Sequence, residues 1–336
     1  MTARPRVLVV DDSAFVRTVL SRVLRASGAI DVVGTARDGA DALEMIASLD
    51  PDIVTLDLTM PIVDGIGVLQ ALAGRSRPRV IVVSIFSIDS ELGAEALALG
   101  AIDLIAKPTA LASDRLNEIG DDLVARILAV RSSADPIIEA VRPLKKRSHR
   151  ATLIMLGTST GGPQALARLM AALPADLAAP LVMVLHIPAG YTHALAARLD
   201  KNSALHVVEA TEGLELVPGL AVLARGGMHL RVERQGGALY SVVSPLPLQP
   251  FRPSVDELFV SGARAVGAGA LGVVLTGMGD DGLVGARAIA EAGGALLTEA
   301  AASCVVYGMP RCVQEAGLGA VSVHLDGMVK GIVDRV

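Results

Sequence analysis

The chain has 336 residues, 52% hydrophobic and 19% charged, which is enough for two folded domains and too apolar for global disorder. A net charge of −5, no Trp and only 2% aromatics exclude a cationic nucleic-acid or lipid surface and a base-stacking platform. The apolar run at Val7–Val10 stops at two aspartates, so no secretory leader is expected. No stretch approaches the ~18 apolar residues of a membrane span. The expected compartment is the cytoplasm, where Cys304 and Cys312 read as reduced core thiols.

From Arg6 to about Arg131, the apolar runs RVLVV, IDVVGTA, DIVTLD, RVIVVS and DLIAK alternate with helical patterns such as SAFVRTVLSRVLRAS and GADALEMIASL. Five strands alternating with helices predict a parallel sheet covered on both faces. The following segment carries two prolines and the basic cluster KKRSHR, and reads as a solvated linker. The α/β pattern resumes at Ala151 with ATLIMLG, PLVMVLH, ALGVVLTG and ALLTEA. Near Gly213 to Gly237 the chain turns Gly-rich with alternating apolar residues, predicting inserted hairpins. The expected fold is therefore α/β with two doubly wound parallel-sheet domains, the first at 5–126 and the second at 151–336, joined by a linker at 127–150.

In a parallel sheet the C-terminal strand ends share one edge. In the first domain that edge collects Asp11 and Asp12 after the first strand, Asp57 after the third, then Ser84 and Lys107. Clustered carboxylates repel unless a hard divalent cation such as Mg²⁺ sits among them. A lysine and a hydroxyl beside them could hold phosphoryl oxygens. Singly these residues could be helix caps. Five polar groups at successive strand ends are a more specific pattern. The Lys107–Pro108 bond is a candidate for the cis form.

In the second domain Ser159 lies between a strand and the helix PQALARLMAAL, within Gly157–Gly161 as G-x-S-x-G. Amides at the helix start could bind an oxyanion. A Gly-rich turn with Ser159 as helix N-cap would leave the same pattern. His186 follows the strand PLVMVLH, and Asp281 follows ALGVVLTG. If these strands are parallel, the three groups meet at one edge as nucleophile, base and orienting acid. The order Ser159, Asp256, His324 would suit an α/β-hydrolase acting on a small ester, but Asp256 falls inside a predicted helix. Gly277–Gly282 also reads G-x-G-x-x-G with Glu299 downstream, a dinucleotide pattern. Asp280 and Asp281 would repel a pyrophosphate there. His149, His193, His206 and His229 fit no zinc spacing, with His229 expected in a loop. Arg252 could touch substrate or serve the fold.

DDSAFVR, LDLTMPIVDG, the Ser84 strand end and AIDLIAKP resemble the receiver domain of two-component response regulators. The resemblance implies a flavodoxin-like fold in which Asp57 accepts a phosphoryl group from a histidine kinase. Asp11, Asp12 and Asp57 would hold Mg²⁺, and Ser84 and Lys107 would sense the phosphate. Leu104 stands where many receivers carry a switch Phe or Tyr.

LGTSTGGPQAL, LHIPAGYT, FRPSVDELF, LTGMGDDG and ASCVVYGMPR resemble the catalytic domain of the chemotaxis protein-glutamate methylesterase family (CheB), and the two resemblances together cover nearly the whole chain. They imply a Rossmann-like second domain that demethylates glutamate 5-O-methyl esters on chemoreceptors, releases methanol, and deamidates specific glutamines by the same acyl chemistry. Ser159, His186 and Asp281 would be catalytic, the Met278 N–H the oxyanion donor and Thr160 its support. The esterase would need no cofactor, and no nucleic-acid partner or membrane insertion is expected. The unphosphorylated receiver would restrain the esterase and phosphorylation of Asp57 would release it. Leu185 replaces a common family Gln and Arg225 alters an APG-type turn, both bearing on substrate preference. The competing account is a response regulator whose output domain only binds a partner.

Overall fold

A computed structural model describes residues 4–75, 77–85, 90–107, 113–132 and 150–336, and the chain divides into two compact units, Met1–Ala134 and Asp135–Val336. The first unit runs β1 (Arg6–Val10), α1 (Ala14–Ala26), β2 (Asp31–Ala36), α2 (Gly39–Leu49) and β3 (Ile53–Leu56). It continues with α3 (Gly65–Leu72), β4 (Arg79–Ile85), α4 (Ser90–Ala98), β5 (Asp103–Lys107) and α5 (Ser113–Ser132). The strands pair in parallel in the order β2-β1-β3-β4-β5. Every residue of β3 is buried, the condition of a strand covered on both faces. Helix starts are set locally: Ser13, Asp38 and Asp64 each accept the N–H three residues on. The expected domain boundary at 126 falls inside α5. Of the expected linker, residues 133–149, with all of the basic cluster but Arg150, lie outside the described residues, His149 among them.

The second unit opens with β6 (Leu153–Thr158), α6 (Gly162–Ala172), β7 (Leu181–Leu185), α7 (Thr192–Lys201), β8 (His206–Glu209) and β9 (Leu220–Leu223). Next come β10 (His229–Gln235), β11 (Ala238–Ser244), α8 (Val255–Val266) and β12 (Ala270–Val274). It closes with α9 (Leu283–Glu291), β13 (Ala295–Glu299), α10 (Met309–Glu315), β14 (Val321–Val323) and α11 (Leu325–Val333). Seven parallel strands pair in the order β14-β13-β12-β6-β7-β9-β8.

The glycine-rich stretch differs from expectation. Only one hairpin forms there, β10–β11, turned at Gly236–Gly237, both at positive φ as a two-residue hairpin loop needs. The preceding run LAVL is β9 of the main sheet, buried at all four residues. Continuous burial, not alternation, marks a strand covered on both faces. His229 likewise lies not in a loop but at the start of β10, fully buried, with Nε2 2.9 Å from the Pro247 carbonyl oxygen.

Candidate functional site

Strand register assembles the acidic cluster of the first unit. Val10 pairs with Leu56, and the Asp57 N–H donates to the Val10 carbonyl at 3.0 Å, so Asp11 and Asp57 leave adjacent strand ends together. Lys107 ends β5 and reaches both, its Nζ 2.6 Å from Asp11 Oδ2 and 2.8 Å from Asp57 Oδ2. Asp11, Asp12 and Asp57 each offer a carboxylate oxygen within 4.8 Å of the others. Asp11, Asp57 and Lys107 are buried, while Asp12 is exposed.

Burial pushes the Asp11 and Asp57 carboxyls above their usual range, and Lys107 only partly offsets it. Three carboxylates facing one ammonium leave an excess of hard oxygen donors, a set that fits Mg²⁺. Ser84 is buried at the end of β4, and the next register pair is Ile85 with Lys107. Leu104 is buried in β5 as a core side chain. Arg17, which the sequence did not single out, donates to the Asp11 and Asp12 carbonyls at 2.7 and 3.0 Å and pins the acidic turn. Pro108 lies outside the described residues, so the Lys107–Pro108 bond does too.

The second cluster also comes from register. Thr158 pairs with Leu185, and the His186 N–H donates to the Thr158 carbonyl at 3.1 Å, so Ser159 and His186 emerge from neighbouring strands. β12 flanks β6 on the other side, with Val274 opposite Gly157, and Asp281 follows in the loop after β12. His186 Nε2 lies 2.8 Å from Asp281 Oδ2, both side chains 6% exposed. Nδ1 of His186 is buried and has no hydrogen-bond partner among the described residues. The N-cap of α6 is Gly161 at φ 82°, not Ser159, so the hydroxyl is not spent on capping. A Cβ on Gly161 would stand 2.5 Å from Val305 Cβ, which is why this turn takes glycine.

Asp281 is held by the start of α8. It accepts the Ser254 hydroxyl at 2.9 Å, the Val255 N–H at 2.7 Å and the Asp256 N–H at 3.0 Å. Burial alone would raise its carboxyl, but His186 and these donors outweigh burial and hold it below the usual carboxylate range. Asp256 returns the arrangement by accepting the Gly282 and Gly285 N–H groups at the start of α9, at 2.9 and 2.7 Å. Burial, opposed by these two N–H groups and reinforced by the nearby Asp281 and Asp280 charges, pushes Asp256 up to about 6. Phe251 stacks on His186 with ring centroids 4.4 Å apart and planes 5° from parallel.

These positions bear on the competing patterns. Asp256 caps a helix, and His324 caps α11 at the end of β14, three strands from β6. At ~4.8 Å per strand that is roughly 14 Å, against one spacing for His186. Glu299 is fully buried and accepts the Thr276 N–H at 2.8 Å, so it does not face a ribose. Met278 is half-buried in the loop after β12, and its N–H has no acceptor among the described residues. Thr160 is buried, its carbonyl accepting the Thr276 hydroxyl at 2.9 Å. Leu185 is buried and Arg225 and Arg252 are exposed. Cys304 and Cys312 are free thiols, the first buried and the second half-buried. Of the residues missed from sequence, Ser254 had a signal, since Ser254 and Glu257 have capping-box spacing. Phe251 and Thr276 had none.

Two family models match the chain: CheB methylesterase over residues 154–332 and response regulator receiver domain over residues 7–118. A protein-glutamate methylesterase/protein-glutamine glutaminase of Myxococcus xanthus is 54% identical over 333 residues, covering 96% of each chain. One of Geobacillus kaustophilus is 41% identical over 346 residues, covering 98% of each. The crystal structure of the Thermotoga maritima CheB methylesterase catalytic domain superposes with a TM-score of 0.54 at 35% identity, covering 55% of this chain and 99% of that one. No helix among the described residues is long and apolar enough to cross a membrane.

Proposed function

The chain belongs to the CheB methylesterase family, with a receiver domain ahead of its esterase domain, and we propose from this that it hydrolyses glutamate 5-O-methyl esters on chemoreceptors under phosphorylation control. The same acyl chemistry acts on specific receptor glutamines. The observation that carries the reading is the buried His186–Asp281 pair, 2.8 Å apart, one strand from Ser159.

With Nε2–H donated to Asp281, the Nδ1 lone pair of His186 is left to take the Ser159 proton as Oγ attacks the ester carbonyl. Asp281, kept ionised by the start of α8, stabilises the imidazolium. The Met278 N–H, with Thr160 supporting the loop opposite, faces the developing oxyanion. Collapse breaks the ester C–O bond, and methanol leaves with the proton from Nδ1. Water then gives its proton to His186 and attacks the acyl-enzyme, releasing the glutamate and restoring Ser159. With a glutamine substrate the leaving group is ammonia.

In the receiver, Asp57 takes the phosphoryl group from a phosphohistidine of a kinase. Asp11, Asp12 and Asp57 would hold Mg²⁺, which neutralises charge on the transferring oxygens when bound. Lys107, between Asp11 and Asp57, is placed to pair with the phosphoryl oxygens, and the Ser84 hydroxyl to bond one of them. The protein acts in the cytoplasm, on the cytoplasmic part of its receptors. The test is methanol release from methylated receptor membranes by wild type and Ser159→Ala, with and without a small phosphodonor. Release that needs Ser159 and rises with phosphodonor is the expected result. Phosphate uptake at Asp57 without methanol release from wild type would instead make the second domain a binding-only output.

A further inference from the structure

The loop carrying Ser159 is fastened to one residue just beyond the end of the neighbouring strand β12, Thr276. The Thr276 carbonyl accepts the Thr158 hydroxyl at 2.7 Å and the Ser159 N–H at 3.1 Å. The Thr276 hydroxyl donates to the Thr160 carbonyl at 2.9 Å. Three consecutive residues around the nucleophile therefore hang on Thr276. The same hydroxyl accepts the Val306 N–H at 2.9 Å, tying in the segment whose Val305 packs over Gly161. One main-chain group of Thr276 is left, its N–H, and it donates to Glu299 Oε2 at 2.8 Å.

Glu299 ends β13, the strand on the far side of β12, and is fully buried. A buried carboxyl is costly to keep unless it does something there. Among the described residues no hydrogen bond or ion pair joins Glu299 to Ser159, His186 or Asp281, so the acyl chemistry does not use it directly. We infer that Glu299 is a positioning residue of this active site: it fixes Thr276 in the turn that follows β12, and Thr276 in turn fixes Ser159 and Thr160. A nucleophile shifted by about 1 Å can lose on the order of a hundredfold in rate while substrate still binds. The role needs an acceptor oxygen at the Oε2 position. It does not need a negative charge, and burial pushes this carboxyl above its usual range. The glutamine side chain is nearly isosteric and presents its carbonyl oxygen to the same N–H.

The inference rests on the esterase reading, and the experiment separates the two. Full-length wild type, Glu299→Gln, Glu299→Ala and Thr276→Val are assayed for methanol release from methylated receptor membranes with phosphodonor present. Each is also assayed for labelling rate by a serine-directed fluorophosphonate, and its thermal unfolding is followed. Glu299→Ala is expected to lose on the order of a hundredfold in kcat with KM little changed. Its labelling rate should fall in parallel, Glu299→Gln should restore most of both, and Thr276→Val should fall with Glu299→Ala. Folded Glu299→Ala with wild-type kcat and labelling would overturn the inference. So would a Gln variant as impaired as Ala. If Glu299→Ala does not fold, the Gln and Thr276→Val variants still decide. Wild type inactive toward both ester and probe would instead sink the esterase reading itself.

Discussion

Both sites stand on the C-terminal edge of a parallel sheet and both are built around buried aspartates, yet their carboxylates are satisfied in opposite ways. Asp281 is met by its own chain: one hydroxyl, two amides and an imidazole converge on it, and its carboxyl is held below the usual range. Asp11 and Asp57 share one ammonium and accept one amide each, from Ser13 and Leu58, and burial still pushes both carboxyls up. The role proposed for Asp281 needs an ionised carboxylate, and the fold supplies the donors that keep it so. A group that must receive a cation and a phosphoryl group is left short of positive charge, so that a ligand completes it. The same architecture thus yields one carboxylate saturated with donors and a pair left short of them, and the difference lies in which donors the flanking segments bring.

The largest expected effect is at the completed site. Ser159→Ala should abolish fluorophosphonate labelling and lower kcat by roughly 10⁴-fold or more, read by methanol release. Asp281→Asn should cost roughly 10³–10⁴-fold while the protein stays folded, because an amide can no longer hold the Nε2–H tautomer of His186. A loss under tenfold would mean that the Asp281–His186 bond is structural only. At the receptive site, Asp57→Asn should abolish the phosphodonor-dependent rise in methanol release. Mg²⁺ should stabilise the wild-type receiver by about 2.7 kcal/mol at a hundred times its dissociation constant, and Asp57→Asn much less, in thermal unfolding. Equal stabilisation of both would remove the contrast drawn between the two carboxylate sets.

Smaller effects sharpen the comparison. Phe251→Leu keeps apolar cover over His186 but removes the π face that would favour the imidazolium, worth about 0.5–1 kcal/mol. Steady-state kinetics should show a two- to fivefold fall in kcat/KM at about that energy. Asp256 carries the smallest expected effect, on stability alone. Its carboxyl sits at about 6 in the fold against a reference of 3.8, so its contribution is present below the reference and lost as pH rises through about 6. Asparagine still accepts the Gly282 and Gly285 amides without the charge facing Asp281. Asp256→Asn should therefore melt higher than wild type at pH 8 and no higher at pH 4.5, a difference that calorimetry can read.

Much of this was legible in the linear chain because parallel strands announce themselves. Their buried runs are short and continuous, and the polar residue that follows each one lands on a shared edge. Asp11, Asp57, Ser159 and His186 each follow a strand directly, Lys107 ends one, and Asp281 comes later in the loop after β12. The hairpin region was less legible: LAVL and LRVER both lie among glycines, and only the pairing partner distinguishes a two-sided strand from a hairpin arm. Capping was partly legible, since Ser254 and Glu257 mark the start of α8, but nothing in their spacing says that Asp281 from another loop shares that start.

What the chain alone determined was the kind of chemistry: α/β sheets with acid-rich and serine-bearing edges, and the residue types available at each strand end. What only the tertiary structure decided was which of those residues meet. Spacing allows either His186 or His324 to meet Ser159, and strand order sets His186 nearer, because β7 lies beside β6 while β14 lies three strands away. It likewise turned Glu299 inward onto Thr276 and laid Phe251 over His186. Sequence distance sets which groups leave a strand end, but lateral distance across a sheet is set by hydrogen-bonded neighbours about 4.8 Å apart, and neighbourhood is a property of the folded sheet.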